Sequence, residues 1–120
     1  MSHEIDVTTA RQQVIEAARA MLAGKLSFIE GARQISDLRW FVDLPEFDPD
    51  MIRFVVIDSE TDTLPFGDVR QRWQSAALAK LQTEIERSEQ WARETGWAAC
   101  QSLIARFSGN AQSSVSPEQD

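Results

Sequence analysis

The sequence predicts a mainly α protein, and three observations carry that expectation. Apolar residues recur at three- and four-residue spacing over long stretches, each preceded by residues that cap helices. Gly and Pro are sparse and Tyr is absent, which disfavours a sandwich or barrel built on many tight turns. The one short apolar run that could be a strand, Met51–Ile57, has no second strand-like segment to pair with. The expected architecture is a helical hairpin (9–41), an acidic crossover holding a short apolar element (42–66), and a long or kinked C-terminal helix (68–107).

The first helix is expected from about Thr9 to Ala23. Thr8 or Thr9 can cap it, with Gln12 completing a capping box behind Thr9. Val14, Ile15, Ala18, Met21 and Leu22 form one stripe, and Gly24 suits the left-handed position that ends a helix. Ser27 and Glu30 form a true S-x-x-E box that opens the second helix. Ile29, Ala32, Ile35 and Leu38 share a face, and Trp40 and Phe41 close the segment. The short connection between the two helices predicts an antiparallel pair.

Pro45 and Pro49 make Val42–Phe47 irregular. Asp48-Pro49-Asp50 then places an acid at the N-cap, proline at N1 and an acid in the first turn, so Met51–Ile57 is read as a short helix. Asp58–Gly67 reads as a loop, in which Asp58, Ser59 and Thr61 can accept from backbone amides. Asp68 suits the next N-cap. Val69, Trp73, Ala77, Leu81, Ile85 and Ala92 begin a pattern that runs on to Phe107, with Glu84–Arg87 and Glu89–Arg93 pairs on its exposed side. An unbroken helix of that length is about 60 Å long, too long for a compact domain with a radius of gyration of about 14 Å. A break at Gly96 is therefore expected, and with it a monomer. A straight helix would leave Trp91, Trp97, Leu103, Ile104 and Phe107 for a homodimer to cover. Residues 1–107 are read as a single helical domain and the Ser-rich segment 108–120 as a disordered tail.

Charge is the most uneven property of the chain. Residues 42–64 hold seven acids and one base, which accounts for six of the seven net negative charges. A pI near 4.7 argues against nucleic acid as a partner. No apolar run is long enough for a membrane span, and the N-terminus lacks the pattern of a secretory signal, so a cytoplasmic location is expected. The single cysteine, Cys100, sits on an inward helix face and reads as an inert buried thiol. His3 is the only histidine, which excludes a two-histidine metal site and a histidine-based catalytic pair within the core.

Asp58, Glu60 and Asp62 alternate like the start of a calcium loop. Thr63 and Val69 stand where that loop needs glycine and a bidentate glutamate. No catalytic residues and no cofactor are assigned. The leading expectation is a small, non-enzymatic acidic module that binds a basic protein, with an immunity- or antitoxin-type inhibitor as its most concrete form. Asp43, Glu46, Asp48, Asp50, Asp58, Glu60 and Asp62 would supply the field, with Trp40 and Phe47 as apolar anchors. The alternatives are a carboxylate-rich, metal-dependent enzyme using Asp58, Glu60, Asp62 and Asp68, or a structural protein.

Two segments, EGARQISDLR (30–39) and IDSETDTLPFGDVRQRW (57–73), resemble a group of small bacterial proteins. These share an E-G-x-R helix and an I-D-S-E-T-D-x-L-P-x-G-x-V-R-x-x-W stretch. The resemblance covers roughly residues 14–107. It implies a bacterial source and one compact domain, and it transfers no functional residue.

Overall fold

A computed structural model describes residues 6–64 and 75–113, excepting the side chains of 75–78, 80 and 109–113. The described residues form four helices and no strand: α1 (Val7–Leu22), α2 (Phe28–Leu38), α3 (Pro49–Thr61) and α4 (Ser75–Ser113). A short 3-10 turn, Arg39–Phe41, follows α2 directly. The mainly α expectation holds, and the apolar element in the crossover is a helix.

Contacts between distant residues set the helix directions. Gly31 near the start of α2 packs on Met21 at the end of α1. Arg11 near the start of α1 donates from Nε to the Val42 carbonyl beyond α2, at 2.9 Å. The first two helices are therefore antiparallel. Along α4, Cys100 meets Met21, while Phe107 lies under the Arg11 guanidinium, so α4 runs against α1. Arg106 reaches Asp48 at the start of α3, and Gly96 faces Phe54 and Ile57 further along it, so α4 also runs against α3. The result is an up-down-up-down bundle. One cluster holds its core, with Val14, Ala18 and Met21 from α1, Phe28, Ile29 and Ile35 from α2, Phe54 and Ile57 from α3, and Cys100 and Leu103 from α4.

Local chemistry explains most of the helix starts. Ser27 Oγ accepts from the Glu30 amide at 3.0 Å, as the S-x-x-E pattern requires. The other arm differs: Glu30 Oε1 lies 3.1 Å from the Ser27 hydroxyl and accepts from it. Asp48 caps α3, accepting from the Asp50 and Met51 amides at 3.1 Å each. The cap of α1 is Asp6, which accepts from Thr9 N at 2.7 Å, so Thr8 and Thr9 lie inside the helix and not at its boundary. A carboxylate at the N-cap also gains from the positive end of the helix dipole, an advantage a threonine hydroxyl lacks. Gly24 takes the expected left-handed conformation, with φ at 78°.

Two expectations about helix extent are corrected. α3 does not stop at Ile57; it continues through Asp58, Ser59 and Glu60 to Thr61. Thr61 is buried four residues after Ile57, and its hydroxyl donates to the Ile57 carbonyl at 2.6 Å instead of accepting from an amide. The second correction is at Gly96, where α4 does not break. The helix is whole from Ser75 to Ser113 and so enters the segment expected to be an unpatterned tail. The longest dimension of the molecule, 58 Å, matches those 39 residues at about 1.5 Å each.

Gly96 serves packing. A Cβ there would lie 3.2 Å from Ile57 Cδ1, 3.3 Å from Phe54 Cε1 and 3.4 Å from a Phe28 ring carbon. The missing side chain lets α4 approach both α2 and α3. Gly96→Ala should lower stability by about 1 kcal/mol, overpacking outweighing the gain in helix propensity. Denaturant unfolding measures this, and a gain in stability would show slack at the contact. The expected uncovered stripe is also absent: Leu103 is fully buried, Phe107 is buried, and Trp97 and Ile104 pack on the core, with Trp91 left partly exposed. The case for a dimer built on that stripe therefore lapses. The expected cap Asp68, the core positions Val69 and Trp73, and His3 lie outside the described residues.

Candidate functional site

The residues expected to form one acidic surface are divided by α3. Asp43 and Glu46 precede the helix, while Glu60 and Asp62 lie at its far end. Thirteen residues of helix separate the two groups by about 18–20 Å, more than twice the Debye length of about 8 Å at physiological salt. They do not act as one field.

Three of the seven acids are engaged within the fold. Asp48 is almost fully buried and takes a two-pronged contact from Arg106, with Nη2 to Oδ1 at 2.8 Å and Nη1 to Oδ2 at 3.0 Å. Asp50 accepts from the same guanidinium at 2.8 Å and from the Ser102 hydroxyl at 2.5 Å. The Arg106 hydrogen bonds hold the Asp48 carboxyl below its usual range against the opposing effect of burial, helped by the α3 amides. Asp48 in turn raises the pKa of Arg106. Asp58, half-buried, lies 3.8 Å from Arg33 Nε.

Arg33 also donates to the carbonyls of Thr61 and Leu64, so it closes the C-terminal end of α3. The E-G-x-R and I-D-S-E-T-D segments thus meet in space. Gly31 allows α1 to approach α2, and Arg33 receives the end of α3. Both are architectural contacts. Glu89 likewise serves the fold, because its carboxylate accepts from the Phe28 amide at 2.6 Å and the Ile29 amide at 3.2 Å, capping α2 from a distant helix. Arg93, its expected partner, lies over the Trp97 and Phe28 rings.

The acids that remain exposed are Asp43, Glu46, Glu60 and Asp62. Glu60 borders an open depression with Arg87, Ser88 and Trp91, so a base stands beside it. Among the described residues, no group of three or more His, Cys, Asp or Glu side chains is placed to hold a metal ion. Asp68, the fourth carboxylate of the metal-dependent alternative, lies outside them.

The connection from Arg39 to Asp48 is different. Val42 is fully buried and its carbonyl is held by Arg11, while Leu44 packs on the core. The Asp48 amide donates to the Pro45 carbonyl at 3.1 Å. Asp43 turns the chain in the left-handed region, at φ 58°, which aspartate tolerates better than most residues. This pinning directs Trp40, Asp43, Glu46 and Phe47 outward. Trp40 is 65% exposed and Phe47 74%, the two most exposed large apolar side chains among the described residues. The Arg39 guanidinium lies 4.5 Å from the centre of the Trp40 ring and donates to the Ser36 carbonyl and hydroxyl.

Between the 3-10 turn and α3 lies a pocket of about 150 Å³, walled by Arg39, Trp40, Leu44, Pro45, Glu46 and Met51. The sequence marks Trp40 and Glu46 as binding residues but not the other four. Only folding brings Met51 beside Trp40, and Pro45 signals no more than a helix break until the pocket is seen. Cys100 is buried against Met21, and desolvation pushes its thiol up to about 12, as expected for an inert side chain. No described helix is long and apolar enough to cross a membrane. Comparison with protein-family models, curated proteins and solved structures returned no match for this chain.

Proposed function

We propose that this chain is a non-enzymatic binding module that docks a basic protein through the Arg39–Asp48 connection. The observation that carries the reading is the exposure of Trp40 and Phe47 on a pinned connection whose exposed charges, Asp43 and Glu46, are negative. Aromatic residues held outward by a rigid backbone contribute apolar area at little ordering cost. Neighbouring carboxylates hasten encounter with a basic surface and disfavour acidic ones. An immunity- or antitoxin-type inhibitor, acting as a monomer in the bacterial cytoplasm, is the concrete form of this reading. In it, the module covers the basic working face of its target.

The test uses the proteins encoded by the adjacent genes, purified and presented to the full chain. The Trp40→Ala/Phe47→Ala double variant should bind the cognate protein about tenfold more weakly, with unfolding stability unchanged within about 0.5 kcal/mol. Raised salt should slow association of the wild type. Equal affinity of the wild type and the double variant would remove this surface from the function.

A further inference from the structure

The connection that displays Trp40 and Phe47 is gripped at both ends, and both grips lead to one stretch of α4. At the first end, the Val42 carbonyl accepts from Arg11 Nε at 2.9 Å, and the Arg11 guanidinium lies 4.9 Å from the centre of the Phe107 ring. At the second end, the Asp48 carboxylate takes the two-pronged contact of Arg106. Asp50 takes a further contact from Arg106 and one from the Ser102 hydroxyl. Ser102, Arg106 and Phe107 fall within about two turns of α4.

Neither grip is needed to build the helix beside it. Val42 lies beyond α2 and the 3-10 turn, so the Arg11 bond belongs to no helix ladder. The α3 amides are capped by Asp48 Oδ2, whereas Oδ1 takes Arg106 Nη2. The backbone between the grips is also restricted. Pro45 fixes its own φ, and Asp43 keeps a left-handed conformation, at φ 58°, that non-glycine residues hold only where their surroundings enforce it. A connection free to relax would have to be ordered again on docking, and that ordering opposes binding.

We propose that Arg11 and Arg106 are positioning residues for docking, which hold the two ends of the connection so that its aromatic side chains are presented in one arrangement before a partner arrives. Trp40 stands two residues before the first grip, and Phe47 immediately precedes the second. The inference rests on the docking function proposed for this connection and adds residues that set affinity through it.

Nitrogen-15 relaxation on the full chain, with no partner present, reads the grip directly. Wild-type amides of Asp43, Leu44, Glu46 and Phe47 should show order parameters of about 0.85. Values should fall below about 0.6 at Glu46 and Phe47 in Arg106→Ala, and at Asp43 and Leu44 in Arg11→Met. Arg11→Met leaves the Asp48–Arg106 contact in place, so it gives an answer even if Arg106→Ala fails to fold. Arg106→Lys should recover part of the order. Gly31→Ala controls for lost stability, because it strains the α1–α2 crossing at the opposite end of α2; its connection should stay as rigid as the wild type. A connection already mobile in the wild type, rigid in both arginine variants, or equally loosened by Gly31→Ala would overturn the proposal.

The second readout is affinity for the adjacent-gene protein that binds the wild type. Arg11→Met should weaken it about threefold to tenfold, and Gly31→Ala should leave it unchanged. Full affinity in an arginine variant with a loosened connection would also overturn the proposal. The two readings fail separately. If the Trp40/Phe47 double variant weakens partner binding while the connection stays rigid in both arginine variants, the docking surface stands and the positioning role falls. If the arginine variants loosen the connection but the partner ignores Trp40 and Phe47, the docking function falls and takes the positioning role with it.

Discussion

Arg106→Ala should destabilise the protein by about 2–3 kcal/mol, as measured by denaturant unfolding at neutral pH. Breaking a fully buried ion pair by removing one member costs about 3–5 kcal/mol. Here the Arg106 side chain is 37% exposed, so water can partly replace it and the figure is discounted. The loss is still large because Asp48 is only 4% exposed and would keep its charge with α3 amides alone for company. Arg106→Lys should recover part of the loss, since it restores charge without the two-pronged contact. A change below about 0.5 kcal/mol in the alanine variant would show that the contact carries no net stability.

The same network sets the acid limb of the stability curve. The folded-state pKa of Asp48 is below its ordinary value of 3.8, chiefly because of the Arg106 hydrogen bonds. Its contribution is therefore complete above that ordinary value and is lost as pH falls through the depressed folded value. Arg106→Ala should flatten this acid-side loss, and an unchanged slope would assign the limb to other carboxylates.

Gly31→Ala should cost about 1–3 kcal/mol, although alanine gains about 1 kcal/mol over glycine in an unhindered helix. A methyl group at this position would collide with the Met21 thioether. Met21 is normally an adaptable side chain, but here it is fully buried and its sulfur already lies 3.9 Å from Cys100 Sγ. Any shift it makes must therefore be accommodated inside the core. In a Met21→Ala background the same replacement should become neutral or favourable, and that non-additivity identifies the contact as the cause. Stabilisation by Gly31→Ala in the wild-type background would contradict a tight α1–α2 crossing.

Features encoded by neighbouring residues were legible in the sequence. Ser27 with Glu30, and Asp48-Pro49-Asp50, both mark helix starts because capping depends on residues within one turn. Thr61 was also readable in principle: with Phe54 and Ile57 it completes a stripe at three- and four-residue spacing, although the polar company of Asp58, Ser59 and Glu60 disguised it. Gly96 was ambiguous for a physical reason. A glycine weakens a helix but also permits close approach, and only the positions of Phe28, Phe54 and Ile57 decide between the two. The acidic surface was the least legible feature. Whether an aspartate attracts a partner or serves the fold depends on the cation beside it, and Arg33 and Arg106 arrive from elsewhere in the chain. The aromatic anchors Trp40 and Phe47 were visible by type, whereas the pocket walls Leu44 and Met51 took their meaning from packing.

The capping of α2 by Glu89 has a consequence for the order of events during synthesis. The Phe28 and Ile29 amides take their carboxylate from a residue 60 or so positions later, and Asp48 waits for Arg106 across a similar stretch. A nascent chain that has delivered α1, α2 and α3 holds helix ends without their ionic partners and apolar faces without α4. Closing such long loops costs entropy before any contact repays it. Among the four described helices, the one that is synthesised after the others is thus the one that joins them into a cooperative unit.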